Sequence, residues 1–263
     1  MMDCTDRHFR YIVRLLSKHV LLYSEMVTAN AVIFGDREKL LGYDAVEHPL
    51  ALQLGGSDPS LLARAAALGQ DWGYDEVNLN VGCPSNRVQS GQFGVCLMKC
   101  PERVAECVLA MKCAVKVPVT VKCRIGVDDI DSYEHLCHFI EVVSAAGCRE
   151  FSVHARKAWL HGLSPKQNRH VPPLRYEVVY QLKRDFPQLE VVLNGGVTSH
   201  DEIAEHLQVV DGVMIGREAY RNVYWLHDFD ARYFDDHHDV LSRKNIILNY
   251  LSYVSREISS GVP

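Results

Sequence analysis

The sequence predicts an α/β protein of the TIM (β/α)8 barrel class that lacks its first strand. Short apolar runs alternate with longer amphipathic stretches along most of the chain, a pattern typical of repeated β–α units and a parallel sheet. The chain has 263 residues, and one such barrel takes roughly 250. Polar residues or glycines directly follow most of the apolar runs, as expected where strands end at a shared site.

Seven strands are predicted from runs that are mostly apolar on both faces, which is usual for parallel strands covered by helices. They are Leu21–Val27, Pro49–Leu54, Glu76–Asn80, Pro118–Lys122, Glu150–His154, Glu190–Leu193 and Gly212–Ile215. The stretches around and between them predict the helices Thr5–Lys18, Pro59–Trp72, Pro101–Val115, Ser132–Ala146, Leu174–Phe186 and Ser199–Leu207.

Both ends of the chain depart from a complete barrel. Met1 to Asp3 lead straight into the first helix, so the missing strand would precede Met1, and we expect an open and less stable barrel. After Tyr220 the sequence becomes acidic and irregular and ends in one apolar helix candidate, Val240–Ile258. We therefore expect a barrel over residues 1–225 and a small remnant of a second domain over residues 226–263.

Composition indicates a soluble globular protein of the cytoplasm. The chain is 48% hydrophobic and 23% charged, and no apolar run approaches the roughly 20 residues that span a bilayer. Asp3, Asp6, Arg7 and Arg10 interrupt any signal peptide. The nine cysteines contain no Cys-x-x-Cys pair, which favours reduced thiols. The net charge of -5 does not favour nucleic-acid binding.

The polar residues at the strand ends predict one convergent site, because the carboxyl ends of barrel strands meet on one face. In chain order these residues are Gln53, Asn80 with Cys83, Lys122 with Arg124, His154, Asn194-Gly195-Gly196 and Gly216-Arg217. The last two groups match the usual phosphate site of such barrels, where glycines let backbone N–H groups approach the anion and arginine adds donors. The alternative is that they are plain turn glycines.

Three side chains are candidates for chemistry. Lys122 ends an apolar strand, where its burial is costly unless it meets a negative charge; the alternative is a lysine that reaches the barrel rim. His154 is either a structural group or a donor to a ligand. Cys83 lies between Gly82 and Pro84 in a tight loop and is a candidate nucleophile or proton donor. Cys96 and Cys100 lack a second ligand pair, so we expect no metal.

Seven ordered motifs in residues 1–225 resemble those of the tRNA-dihydrouridine synthases. They are MMDCTDRH at 1–8, ALQLGG at 51–56, NLNVGCPS at 78–85, VKCRIG at 121–126, HARKAWL at 154–160, NGG at 194–196 and GREAY at 216–220. HARKAWL and the following GLSPK at 162–166 are similar to the A subfamily, which modifies tRNA positions 20 and 20a. The sequence departs from the family in lacking Ala-Pro before the opening methionines and in having Asn222-Val223 for Asn-Pro.

The resemblance implies a flavin enzyme that reduces uridine in tRNA to 5,6-dihydrouridine, with NADPH as reductant and the chain as a monomer. It implies that FMN is held by Met1, Met2, Gln53, Lys122, His154, Asn194, Gly195, Gly196, Gly216 and Arg217. Cys83 would be the general acid, and RNA would be contacted by Asn80, Arg124, Lys166 and Arg169. Residues 226–263 would be the remnant of a helical tRNA-binding domain.

Two other functions remain open. One is a flavin barrel oxidoreductase that acts on a small pyrimidine. The basic loop between Arg156 and Arg169 favours RNA over that substrate, because a free base does not need a basic surface of that size. The other is a truncated, non-catalytic paralogue that keeps the site residues. No Gly-x-Gly-x-x-Gly turn for a dinucleotide is found, which favours FMN over FAD.

Overall fold

The structure, a computed structural model, describes residues 1–261. Its centre is one sheet whose neighbouring strands all pair in parallel, in the order β1-β3-β4-β5-β6-β7-β8, with β2 also paired to β3. The strands are β1 (Leu22–Tyr23), β2 (Val27–Thr28), β3 (Leu50–Gly55), β4 (Glu76–Val81), β5 (Val119–Arg124), β6 (Glu150–His154), β7 (Glu190–Asn194) and β8 (Gly212–Met214). The predicted strand–helix alternation and parallel sheet are confirmed.

Helices follow nearly every strand. They are α1 (Arg7–Arg14), α2 (Ala29–Phe34), α3 (Arg37–Leu41), α4 (Pro59–Asp71), α5 (Asn86–Ser90), α6 (Pro101–Ala114), α7 (Tyr133–Ala145), α8 (Tyr176–Asp185), α9 (His200–Leu207), α10 (Arg217–Arg221), α11 (Phe229–Tyr233) and α12 (Arg243–Ser259). Four predicted helices agree with α4, α6, α7 and α9 within a residue at each end. The predicted Thr5–Lys18 is too long, because the Asp6 side chain caps α1 by accepting from the Phe9 N–H at 2.9 Å. The short α2, α3, α5, α10 and α11 were not predicted.

The first predicted strand, Leu21–Val27, is wrong as a single element. Residues 24–26 interrupt it, so that three residues lie opposite two of β3, which is a bulge. The cause is local: the Ser24 hydroxyl, and not a backbone carbonyl, accepts the hydrogen bond of the Gln53 N–H at 2.9 Å.

The prediction that most strands are apolar on both faces is wrong for β4. All of β4 is buried, yet Glu76, Asn78 and Asn80 alternate with valine and leucine. Alternate residues of a strand share one face, and the polar set hydrogen-bonds across the sheet while the apolar set joins the main hydrophobic core with the helices. The face of the sheet that carries these polar residues is therefore the inner one, and the apolar core lies between the other face and the helices.

The sheet remains open within residues 1–261, because β8 pairs with β7 alone and β1 with β3 alone. Met1 reaches the end of β8: its sulfur lies 3.9 Å from where a Cβ on Gly216 would stand. The N-terminal turn thus lies beside the strand ends.

The C-terminal helix α12 packs on α1. The rings of Tyr11 and Tyr253 stack with centroids 3.8 Å apart, and the Tyr253 hydroxyl lies 2.7 Å from His8 Nδ1. The buried Asp230 accepts from the Lys18 N–H at 2.6 Å and from the Ser17 hydroxyl. Within residues 1–261 no helix has the length and apolarity needed to cross a bilayer, and all nine cysteines are free.

Candidate functional site

The structure brings the predicted strand-end residues together. Asn80 and Lys122 are register partners on β4 and β5, and His154 and Asn194 are register partners on β6 and β7. The Asn80 amide donates to Gln53 Oε1 at 2.7 Å, and Lys122 Nζ donates to Asn194 Oδ1 at 3.0 Å. One connected polar surface therefore extends across five neighbouring strands.

The loop that carries Cys83 is held from three sides. Asn80 Oδ1 accepts the backbone N–H groups of Gly82 and Cys83 at 3.1 and 3.0 Å. Arg124 Nε donates to the Gly82 carbonyl at 2.8 Å, and the Cys83 carbonyl accepts the Val95 N–H at 3.1 Å. The half-buried Cys83 thiol donates to the Ser85 hydroxyl at 3.5 Å. The thiol is thus presented at the strand ends on a fixed backbone.

Lys122 donates to the amide oxygen of Asn194, and within residues 1–261 no ion pair with a carboxylate is found for it. Burial, and after it the positive charge of Arg124, lower the pKa of Lys122 to about 8. The cost of such burial falls when an anion binds beside the ammonium group. Lys122 Nζ lies at the end of β7, on Asn194, and its interaction with an anion stays a prediction.

His154 is half-buried and lies against the β7 loop. Burial lowers the pKa of its imidazole well below the usual value, and the positive charges of Arg124 and Lys122 act in the same direction. The ring is therefore neutral at physiological pH and can donate one hydrogen bond. Among the described residues none forms a hydrogen bond with this ring, which leaves it available to a ligand.

The loop Asn194–Gly196 has the geometry of an anion cradle. Gly195 and Gly196 have φ of +122° and +80°, which side chains rarely adopt. A Cβ on Gly195 would stand 2.6 Å from His154 Cδ2, and one on Gly196 would stand 2.5 Å from Leu174 Cδ1. The Tyr176 hydroxyl fixes the loop by donating to the Gly195 carbonyl at 2.6 Å. Only glycine fits both positions.

Arg156 lies in the same region and was not predicted as a cofactor residue. It is 9% exposed, and its Nε finds no hydrogen-bond acceptor although it is buried. A buried guanidinium with an unmet donor suits a bound anion. A sequence signal exists, since Arg156 comes two residues after the end of β6 at His154, but from the sequence it is placed in the basic loop between Arg156 and Arg169.

Gly216 and Arg217 lie at the start of α10, beside the N-terminal turn. Arg217 Nη1 lies 2.7 Å from His170 Nε2, so this arginine is turned toward the 169–170 loop. Met1 approaches Gly216, whereas Met2 is 49% exposed. The structure therefore places Met1 beside Gly216 and Arg217 at the open edge, whereas half of the Met2 side chain faces solvent.

The four predicted RNA contacts divide into two pairs. Lys166 and Arg169 are exposed on the loop after β6. Arg124, in contrast, is 3% exposed and donates to the carbonyls of Gly82, Lys157 and Asn168. Asn80 is 8% exposed and holds the Cys83 loop. The structure thus gives Arg124 and Asn80 a supporting role that the sequence alone did not show, and their contact with RNA stays a prediction.

Comparisons with known proteins agree on one family. The family model described as dihydrouridine synthase (Dus) matches residues 1–263. A protein of Synechocystis named tRNA-dihydrouridine(20/20a) synthase is 59% identical over 261 residues, which are 99% of this chain and 78% of that protein. Proteins of the same name from Vibrio cholerae and Pseudomonas aeruginosa are each 57% identical, over 99% of this chain and 80% and 79% of their own lengths.

A solved structure agrees with the fold alone. The crystal structure of a lactate oxidase from Pediococcus acidilactici matches 87% of this chain and 64% of that chain, with a TM-score of 0.52 and 14% identity.

Proposed function

Since this chain belongs to the dihydrouridine synthase family, we propose that it reduces uridines 20 and 20a of tRNA to 5,6-dihydrouridine with FMN and NADPH. The names of the curated relatives support the substrate. One observation carries the proposal furthest. The thiol of Cys83, the ammonium group of Lys122 and the glycine loop Asn194–Gly196 lie at the same end of one sheet.

The residues present fit a flavin phosphate and an electron-rich ring edge. The positive-φ glycines Gly195 and Gly196 leave room for an anion, and the unmet Nε of Arg156 supplies a donor to it. Lys122 and His154 supply a positive charge and a neutral donor deeper in the site. The remaining groups assigned to the cofactor are Met1, Met2, Gln53, Asn194, Gly216 and Arg217.

FMN, when bound, would supply the hydride that the C6 atom of uracil accepts, and NADPH would be the source of that hydride. The C5 atom of the same base then requires a proton, so that the C5=C6 double bond becomes a single bond. Cys83 holds that proton on its thiol, and Asn80 fixes the loop that aims it. The base must leave its stack to reach the thiol, as in other enzymes that act on a nucleobase.

We assign tRNA binding to the exposed Lys166 and Arg169, which stand on the loop next to Arg217. Basic side chains on one surface neutralise phosphates and supply most of the sequence-independent affinity. Residues 226–263, which include α12 packed on α1, then belong to the helical tRNA-binding part.

A comparison of substrates tests this function. Purified protein supplied with FMN and NADPH is given tRNA that lacks dihydrouridine, or free uracil and uridine at equal concentration, and dihydrouridine formation is measured. We expect product from tRNA only. Product from free uracil alone would establish the small-pyrimidine oxidoreductase, and flavin bound without any product would favour the non-catalytic paralogue. Release of FAD on denaturation would overturn the choice of FMN.

A further inference from the structure

A chain of hydrogen bonds runs from the Cys83 loop into the middle of the sheet. Starting at that loop, its links are Gly82 and Cys83 N–H to Asn80 Oδ1 (3.1 and 3.0 Å), Asn80 Nδ2 to Gln53 Oε1 (2.7 Å), Gln53 Nε2 to Asn78 Oδ1 (2.9 Å), Asn78 Nδ2 to Thr120 Oγ1 (2.8 Å) and Thr120 Oγ1 to Glu76 Oε1 (2.5 Å). Gln53, Asn78 and Thr120 are register partners on β3, β4 and β5, so the sheet itself aligns them.

The hydrogen bonds of this series all run in one direction, because one end offers only donors and the other end offers an acceptor. At the loop end two backbone N–H groups can only donate, so Asn80 must turn its oxygen toward them and its amide N–H outward. At the other end Glu76 Oε1 accepts from the hydroxyls of both Thr120 and Tyr23, so Thr120 donates its hydroxyl hydrogen there and accepts from the Asn78 amide. Each amide between them is oriented by its neighbours.

The surroundings of Glu76 favour its role as a hydrogen-bond acceptor. Glu76 is 5% exposed and accepts from two hydroxyls, that of Thr120 and that of Tyr23 at 2.9 Å. Burial raises the pKa of this carboxyl, and the two hydroxyl donors act in the opposite direction. Without this fixed acceptor, the side-chain amides of Asn78 and Gln53 could adopt either of two flipped orientations, since their oxygen and NH2 groups are nearly equal in shape.

We propose that Thr120 and Glu76 are positioning residues for the reduction of uridine: they fix which way the amides of Gln53 and Asn80 point, and so hold the Cys83 loop in its reactive place. This inference rests on the proposed function, because Cys83 is the proton donor there. Neither Thr120 nor Glu76 touches the strand-end site, and both act through the amides between.

Thr120→Val tests the proposal, since valine keeps the shape of threonine and removes the hydroxyl. Asn78 then loses the acceptor of its N–H, and the amides of Asn78 and Gln53 are free to turn. We expect kcat for tRNA reduction to fall by about 10- to 100-fold, as small misplacements of a reacting group do, while KM for tRNA stays unchanged. Thr120→Ser, which keeps the hydroxyl, should restore kcat.

Alkylation of Cys83 gives a second readout that needs no enzyme activity. The rate of iodoacetamide addition at Cys83, followed by peptide mass spectrometry, should rise several-fold in Thr120→Val because the loop loses its fixed anchor. Ser144→Ala is the control: it removes a hydroxyl on α7 that donates to the Glu141 carbonyl at 3.1 Å, away from the hydrogen-bonded chain. That variant should keep the parent kcat and the parent alkylation rate.

Glu76→Gln covers the case in which Thr120→Val does not fold. The glutamine keeps the size of Glu76 but can turn its NH2 toward Thr120, so the fixed acceptor is lost; the same two changes are expected. Thr120→Val or Glu76→Gln with the parent alkylation rate and parent kcat would overturn the inference. If the parent protein reduces no uridine, the proposed function fails, and the alkylation rates alone still decide whether the chain of hydrogen bonds positions Cys83.

Discussion

Replacement of Gly195 by alanine tests the anion cradle. The residue has φ of +122°, and a non-glycine residue in so sparsely populated a region costs about 1–3 kcal/mol. The new Cβ would also stand 2.6 Å from His154 Cδ2 and 2.9 Å from Nε2, so the imidazole must move. Because that ring faces the site, we expect both the melting temperature and the flavin affinity to fall.

The two losses have calculable sizes. If the whole strain were expressed in binding, about 1–3 kcal/mol would raise the flavin Kd by roughly 5- to 150-fold. If it were expressed in stability, each kcal/mol would lower Tm by about 2–4 °C in a chain of this size. Flavin fluorescence titration measures the first quantity, and a thermal melt of the flavin-free protein measures the second.

Gly162→Ala is the matched control for this experiment. Gly162 also has a positive φ, +81°, but a Cβ there meets no atom within 4 Å. It therefore carries the backbone strain without displacing a neighbour, and we expect a lower Tm with an unchanged flavin Kd. A Gly195→Ala protein that binds flavin with the parent Kd would refute the reasoning that this loop and His154 form the cradle.

Three further predictions concern the chemistry and its partners. Cys83→Ala should keep bound flavin and its reduction by NADPH while uridine reduction falls by about 10²–10⁴-fold; dihydrouridine formation at the parent rate would make Cys83 a structural thiol. Lys166→Ala combined with Arg169→Ala should raise KM for tRNA with flavin content unchanged, and unaltered tRNA kinetics would remove the case for RNA binding by this loop. Because the pKa of Lys122 lies near 8 and its charge is present below that pH, flavin affinity should fall as the pH rises through about 8; Lys122→Met, which has no proton to lose, should show a flat and weaker affinity over the same range.

The sequence predicted the convergent site well, because the site follows from strand order. Once the apolar runs are recognised as parallel strands, the residue after each run must lie at the same end of the sheet. This logic alone places Lys122, His154 and Asn194 together, and the structure does bring them together.

The polar interior could not be predicted in the same way. In the strand Glu76–Val81 polar and apolar residues alternate strictly, which predicts one exposed face, but both faces are buried. Which polar residue meets which depends on register, and register is set by long-range pairing that a single sequence does not show. For the same reason the roles of Asn80 and Arg124 emerge only when their partners are known.

Reduction of a tRNA that carries no modified base tests the central claim most directly. The flavin-loaded protein and NADPH are mixed with a tRNA transcript that contains no modified base, and ribonuclease fragments are examined by mass spectrometry. The account predicts a gain of two hydrogens in the fragment that holds positions 20 and 20a, the positions named for the relatives, and its loss when those uridines are changed to cytidine. Flavin-loaded protein that leaves every fragment unreduced, or reduces uridines elsewhere in the transcript, would contradict it.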